Sequence, residues 1–181
     1  PFITDEILAK ALCELSRRTA DGLVEEGVPF KGVLYGGLIL TSDGPKVIEF
    51  NARFGDPETE VVLPRLKSDF YDLVDAAVEG RDCTTEWSDD AYLGVVLASE
   101  GYPGSYKKGM EIKGLDKVNA EIYHMGTKRE GDRILTAGGR VLMVVGKGKT
   151  VTEANAAAKS EIEKIDCPSL FHRNDIGKAS L

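Results

Sequence analysis

The sequence has no long hydrophobic run and no excess of positive charge, and each absence excludes a class of protein. Its longest apolar stretch is VLYGGLIL, Val33–Leu40, which is too short to span a bilayer and contains two glycines. The formal net charge of −7 argues against a protein that binds the phosphate backbone of nucleic acids. We therefore expect neither a membrane nor a nucleic acid among its partners.

Cysteine is also scarce. The three cysteines, Cys13, Cys83 and Cys167, lie far apart and show no C-x-x-C metal spacing, which indicates reduced thiols in a cytoplasmic protein. The sequence begins PFITDEI, without an initiator Met, and runs almost directly into a helix, and we expect no signal peptide. We expect these 181 residues to be part of a longer protein.

The first half of the chain predicts two helices around a β-hairpin. Apolar residues at helical spacing predict a long helix over residues 5–26, capped by Thr4 and stopped by Gly27. The segments KGVLYGGLILT and KVIEFN, joined by SDGP, predict a hairpin whose first strand is apolar on both faces, as in a central strand covered by helices. A further helix follows, capped by Ser68 and stopped by Gly80.

The second half consists of short segments with strand patterns, punctuated by glycine, and one helix. That helix, TVTEANAAAKSEIEKI, places four apolar residues on one face: Ala154, Ala158, Ile162 and Ile165. Because residues 81–90 are polar and without periodicity, we predict one domain over 1–80, a linker over 81–90 and a second, β-rich domain over 91–181. The predicted fold class is α+β.

Polar residues interrupt the end of the second hairpin strand. Strict alternation predicts that Val47, Glu49, Asn51 and Arg53 share one face of the strand, while Ile48 and Phe50 point the other way. The oxygen donors of Glu49 and Asn51 would then project in parallel, roughly 6.5–7 Å apart along the strand. This suits a hard cation beside a polyphosphate, since Mg²⁺ uses one or two carboxylates and takes its remaining ligands from phosphates and water.

Arg53 would follow on that face as a clamp for a phosphoryl or carboxylate oxygen. Gly36 and Gly37, on the partner strand, would let a ligand approach the backbone closely. The alternative is a surface pair in which Glu49 merely balances the charge of Arg53.

The stretch FKGVLYGGLILTSDGPKVIEFNARFGDPETEVVLPRLKSD closely resembles the end of the ATP-grasp domain of the phosphoribosylamine–glycine ligase family. The run EFNARFGDPE is similar to that family's signature, and the resemblance continues through GYPGSY, HMGTK, GGRVL and FHRNDIG. It implies the C-terminal part of an ATP-grasp fold, an antiparallel sheet with flanking helices, followed by a small β-rich domain with one helix.

The resemblance also implies a reaction. ATP phosphorylates the carboxylate of glycine, and the amine of 5-phosphoribosylamine attacks the glycyl phosphate, giving glycinamide ribonucleotide, ADP and phosphate in purine synthesis. Glu49 and Asn51 would hold Mg²⁺ (or Mn²⁺) between the ATP phosphates, and Arg53 would stabilise the transferring group. Asp56 would pair with the glycine ammonium, or serve as a helix cap before Pro57; both interpretations stay open.

In the second half, the loops HMGTK and GGR carry Lys128 and Arg140, candidates for closing over the ribosylamine or the nucleotide. Arg140, like Gly36 and Gly37, is predicted to contact ATP. The alternative for Lys128 is a solvated β-turn, and for His124 a packing role at a strand end.

The family's N-terminal part, with most of the nucleotide pocket, is not in this sequence. We expect that part to be a partner, alongside any fused purine-pathway domains, and we expect the chain alone to be inactive. We also expect an exposed apolar patch on the first helix or the hairpin. Two alternatives remain: another ATP-grasp carboxylate–amine ligase, and a non-catalytic ATP-grasp module that serves assembly.

Overall fold

The computed structural model describes residues 5–178, without the side chains of residues 5 and 12–14. Its first elements are α1 (Asp5–Lys10), a π-helical segment (Ala11–Ser16), α2 (Arg17–Glu25), β1 (Tyr35–Thr41), β2 (Gly44–Asn51), α3 (Thr59–Val62), a 3₁₀ turn (Leu63–Arg65) and α4 (Phe70–Glu79). They are followed by β3 (Ala91–Ser99), β4 (Glu111–Ile112), a 3₁₀ turn (Leu115–Lys117), β5 (Glu121–His124), β6 (Thr127–Glu130), β7 (Arg133–Thr136), β8 (Arg140–Gly148), α5 (Val151–Ile162) and β9 (Leu170–Phe171).

These elements form two compact units. The first holds the described residues up to Thr59 together with Leu66–Trp87, and the second holds Glu60–Arg65 and the residues from Ser88 onward. The chain changes unit at Trp87–Ser88, within the segment predicted as a linker. The division into domains at 1–80 and 91–181 stays a prediction.

The first predicted helix has the expected extent but is not uniform. Residues 5–25 are helical throughout, yet Ala11–Ser16 is π-helical, so the prediction of one regular α-helix is wrong there. Its stop is confirmed: Gly27 has φ +77°, and its N–H bonds the Val24 carbonyl at 3.0 Å. The predicted cap, Thr4, lies outside the described residues.

The predicted hairpin is confirmed. β1 and β2 are antiparallel, and Thr41 Oγ1 fixes their turn by accepting from the Asp43 N–H and donating to the Gly44 carbonyl. The expectation of a covered central strand is wrong within the part of the chain described here. Ile39 is 52% exposed and Ile48 67%, which confirms the expected apolar patch.

The predicted helix before Gly80 is α4, and its cap differs from the prediction. Asp69, rather than Ser68, accepts hydrogen bonds from the N–H groups of Tyr71 and Asp72. Ser68 instead accepts the N–H of Glu86, because that segment returns alongside it. Gly80 ends the helix in a left-handed conformation, as predicted.

The second unit has two core clusters, one between its larger sheet and α5 and one that also includes Ile112 of β4. The strands form an antiparallel sheet in the order β5-β8-β3-β9, beside a smaller one in the order β4-β7-β6. As predicted, Ala154 and Ala158 of α5 face inward, and both are fully buried. They pack so closely on β8 that a Cβ on Gly146 would lie 2.0 Å from the Ala154 carbonyl oxygen.

No helix within residues 5–178 has the length and apolar composition needed to cross a membrane.

Candidate active site

The end of β2 brings the predicted polar residues into one pocket. Asn51 Nδ2 donates to Glu49 Oε1 at 3.0 Å, so the two side chains share a face as predicted. Arg53 follows just beyond the strand, with Nη1 donating to the Phe54 carbonyl at 2.8 Å. All three line a pocket of about 270 Å³ within the first unit, together with Asp56 and Glu58.

A β-bulge alters the predicted alternation. Gly37 pairs with Glu49 and Leu38 pairs with Val47, which leaves Ile48 as an extra residue in β2. Ile48 therefore lines the pocket with Glu49, whereas Val47 does not. The expectation that Val47 shares the face of Glu49 while Ile48 points away is wrong for this reason.

The two glycines of β1 differ in their surroundings. Gly37 lines the pocket directly opposite Glu49, and a Cβ there would lie 3.2 Å from Glu49 Cγ. Gly36 pairs with Phe50 and faces its ring, and it is not among the residues that line the pocket. A glycine at 37 thus leaves room for the Glu49 side chain.

Asp56 lies in the turn before α3, three residues before the helix begins at Thr59. The same turn brings in Glu58, a carboxylate that the sequence reasoning missed. Glu58 folds back so closely that a Cβ on Gly55 would lie 2.3 Å from its Oε2. The only sequence signal for Glu58 is its place in GDPETE, directly after the aspartate.

Tyr35, at the start of β1, was missed as well. Burial raises the pKa of its hydroxyl, followed by a hydrogen bond to Glu58 and by the negative charges of Glu58 and Glu49. Arg53 opposes this shift. The pocket is thus a carboxylate-rich site that also contains one guanidinium.

Arg140 belongs to the second unit, where it is the first residue of β8, pairs with Ala98 and is half-buried.

The turn before Arg140 is held by Ser99, a buried residue that the sequence reasoning did not select. Ser99 Oγ donates to the Gly138 carbonyl and Ser99 N–H to the Gly139 carbonyl, both at 2.8 Å. The Gly138 N–H in turn reaches the Gly126 carbonyl at 3.0 Å. The predicted loops HMGTK and GGR therefore lie against each other.

The other residues singled out in HMGTK bond locally. Lys128 Nζ lies 2.5 Å from Glu130, and this contact lowers the pKa of the Glu130 carboxyl. His124 Nδ1 lies 2.9 Å from Thr127 Oγ1, across the turn between β5 and β6. The Lys128 contact agrees with the alternative of a solvated basic residue, whereas His124 is exposed rather than packed.

The fold and this site define the class of protein: the end of an ATP-grasp domain joined to a β-rich C-terminal domain. Residues 1–59 match the ATP-grasp (A) domain of phosphoribosylglycinamide synthetase, and residues 92–179 match its C domain. The chain belongs to the phosphoribosylglycinamide synthetase family.

Similar proteins carry the name phosphoribosylamine–glycine ligase. The one from Halalkalibacterium halodurans is 49% identical over 183 residues, covering 100% of this chain and 43% of the relative. The one from Listeria monocytogenes serotype 4b is 48% identical, covering 98% and 43%. The crystal structure of the Thermotoga maritima ligase matches 97% of this chain and 44% of its own, with TM-score 0.87 and 33% identity. The chain thus spans less than half the length of these relatives.

Proposed function

We propose that this chain carries the metal and phosphoryl end of the active site of an ATP-dependent ligase that joins glycine to 5-phosphoribosylamine. The products would be glycinamide ribonucleotide, ADP and phosphate, formed through glycyl phosphate in purine synthesis. Family membership supports the class of reaction. The single observation that carries the site is the convergence of Glu49, Asn51 and Arg53 in one pocket, in a family with an ATP-grasp domain.

The donors of this pocket fit Mg²⁺ (or Mn²⁺) shared with a polyphosphate. Among residues 5–178 no group of three or more His, Cys, Asp or Glu is arranged as a complete metal cage. Asn51 Nδ2 donates to Glu49 Oε1 at 3.0 Å, which places the two side chains next to each other. Glu49 Oε2 and Asn51 Oδ1 would supply hard oxygen ligands, and phosphates and water would complete the coordination of Mg²⁺. When bound, the ion would neutralise negative charge around the transferring phosphoryl group.

The other pocket residues have roles that follow from their charge or size. Arg53 would hold an oxygen of the phosphoryl group or of the acyl phosphate, in the geometry that guanidinium groups provide. Asp56 would accept hydrogen bonds from the ammonium of glycine and thereby orient its carboxylate. Because Gly37 has no side chain, a phosphate could approach the backbone closely beside Glu49.

In the second unit, Arg140 would bind an anionic part of the nucleotide or the ribosylamine. This role for Arg140 is supported by the turn before it, which Ser99 holds in place. A backbone that is already fixed loses less conformational entropy when Arg140 binds a ligand. Gly36 faces Phe50, which favours a packing role for that glycine.

The proposed partners are glycine, 5-phosphoribosylamine and the N-terminal part of the same enzyme, which would supply most of the nucleotide pocket. On this basis the chain alone is inactive. We place the enzyme in the cytoplasm, in line with reduced cysteines. The conjunction of RFGDPE with FHRNDIG favours this ligase over other ATP-grasp ligases, and an intact Glu49–Asn51 pair favours catalysis over a scaffold role.

The test uses the natural polypeptide that contains this sequence, assayed for glycine-dependent ADP release with phosphoribosylamine generated in place. Glu49→Gln removes one charge without changing shape and should lower kcat at least about 100-fold, in the range found when one stabilising group is lost. The matched control is Glu79→Gln, on an exposed residue of α4 that does not line the pocket.

Full activity of Glu49→Gln would refute the metal site, and activity independent of glycine would refute the ligase. Turnover by the 181-residue chain itself would contradict the need for the N-terminal part.

A further inference from the structure

Two side chains that line the pocket around Glu49 have no role in the proposed reaction: Tyr35 and Glu58. Both belong to the first unit, and both come from segments other than β2. Tyr35 is the first residue of β1 and pairs with Asn51. Residues directly opposite each other in an antiparallel pair share one face of the sheet, so Tyr35 lies on the face that carries Asn51.

Glu58 follows Asp56 in a tight turn at residues 55–59. It is half-buried, and its carboxyl group lies against the backbone of Gly55, where a Cβ would be 3.0 Å from Glu58 Cδ. Thr59 closes the turn, because its N–H and its Oγ1 both donate to the Gly55 carbonyl, the N–H at 3.1 Å. These two bonds hold the turn together but do not attach it to the sheet.

A hydrogen bond between side chains connects this turn to β1. The Tyr35 hydroxyl donates to the Glu58 carboxylate, and burial together with this bond raises the pKa of Tyr35, so the hydroxyl stays protonated and remains a donor. Every residue of β1 pairs with a residue of β2, so the tyrosine is based on a paired strand. A hydrogen bond to an ionised acceptor is also stronger than one between neutral groups. We call this bond the Tyr35–Glu58 tether.

We propose that Tyr35 is a positioning residue, which acts through Glu58 to hold the turn at residues 55–59 against β1 and so keeps Asp56 in place for the ammonium of glycine. This inference rests on the proposed ligase function. Asp56 lies two residues before Glu58 in the same turn, so a displaced Glu58 displaces it as well. Without the tether, the apparent affinity for glycine falls with the fraction of molecules whose turn keeps the binding arrangement.

The alternative is a direct role for Glu58 on a substrate. Two features favour positioning: the Glu58 carboxylate already accepts a hydrogen bond from Tyr35, and its side chain folds back on Gly55. The two roles predict different results for Tyr35→Phe, because this change removes the hydroxyl and leaves the Glu58 carboxylate in place.

The experiment measures glycine kinetics and Tm in the natural polypeptide that contains this sequence. Tyr35→Phe should raise the KM for glycine about tenfold, the smallest loss expected for a hydrogen bond to a charged group, and should lower kcat much less. A merely structural defect would instead lower Tm and kcat without this selective change in KM. The matched control is Tyr71→Phe, on a tyrosine of the same unit that is 75% exposed, and it should change neither constant.

A double-mutant cycle shows whether the two residues act as a pair. In a Glu58→Ala background, Tyr35→Phe should have no further effect on the KM for glycine, since its acceptor is already gone. Glu58→Gln should raise this KM less than Glu58→Ala does, because a carboxamide oxygen still accepts the hydroxyl. An unchanged KM in Tyr35→Phe, or an equal increase in both backgrounds, would overturn the proposal.

Amide hydrogen exchange separates the tether from the ligase function, since it needs no turnover. The Thr59 amide, which closes the turn, should exchange about tenfold faster in Tyr35→Phe than in the unmodified polypeptide. Unchanged exchange would refute the tether whatever the activity. Faster exchange in a polypeptide that shows no glycine-dependent activity would support the tether and refute the proposed function.

Discussion

Replacing Gly146 by alanine tests whether close contact between α5 and β8 stabilises the second unit. The added Cβ would lie 2.0 Å from the Ala154 carbonyl oxygen and 2.5 Å from the Ala158 nitrogen. Because Cβ atoms essentially never come within 3.0 Å of such atoms, α5 must move by at least 1.0 Å, the difference between 3.0 and 2.0 Å. Both partner atoms are backbone, so no side-chain rotation can relieve the clash.

The shift would loosen the packing of Ala154 and Ala158, which are fully buried in the native unit. Overpacking of a tight core costs about 1–3 kcal/mol, and we expect the upper part of that range here. For a unit of this size, each kcal/mol lowers Tm by about 4–8 °C, so a loss of about 2–3 kcal/mol corresponds to about 8–24 °C.

The assay is scanning calorimetry, with amide hydrogen exchange in α5 reporting which unit melts first. Gly22→Ala is the control, since nothing lies within 4 Å of a Cβ placed at that helical position. It should raise stability by about 0.5–1 kcal/mol. A Tm for Gly146→Ala within about 2 °C of the unmodified chain would refute the close packing of α5 on β8.

Two further outcomes concern single carboxylates. Asp90 contacts Lys149 at 2.6 Å and Lys147 at 3.0 Å, and hydrogen bonds to them lower its pKa to about 2. The stabilisation from the ionised Asp90 carboxylate is therefore present above the unfolded pKa of about 3.8 and is lost as pH falls towards 2. Asp90→Asn should lower Tm at pH 6 but not at pH 2. An equal decrease of Tm at both pH values would contradict this. Asp69→Ala should cost about 1 kcal/mol in urea unfolding through loss of the α4 cap, whereas the exposed Asp82→Ala should cost little; equal losses would argue against the cap.

Local structure was largely predictable. The spacing of Ala154 and Ala158 places them on the buried face of α5, and Thr150 caps that helix by accepting the Glu153 N–H. The Asp-Gly pair marks the hairpin turn, because glycine accepts the φ of +100° found at Gly44. Such signals depend only on residues a few positions apart, so they can be interpreted without knowing the rest of the fold.

Predictions failed where two segments compete for the same residue. Ser68 and Asp69 are both good caps by type, and the return of the chain at Glu86 decides between them by occupying the Ser68 hydroxyl. Likewise, the doubly apolar first hairpin strand predicts cover on both faces, yet Ile39 of that strand is 52% exposed within the chain as described. Neither outcome can be derived from propensity, since both depend on distant residues.

For the candidate site, the sequence alone identified the family and the chemical groups: a carboxylate, a carboxamide and a guanidinium at the end of one strand. The motif EFNARFGDPE identifies both because the family and the chemical groups follow from residue type and order alone, which the sequence gives directly. Only the tertiary structure decided that a bulge turns Ile48 into the pocket and that Glu58 folds over Gly55 to join Glu49. The physical reason is that register shifts and close backbone approaches arise from contacts between segments, which no local pattern of residues encodes.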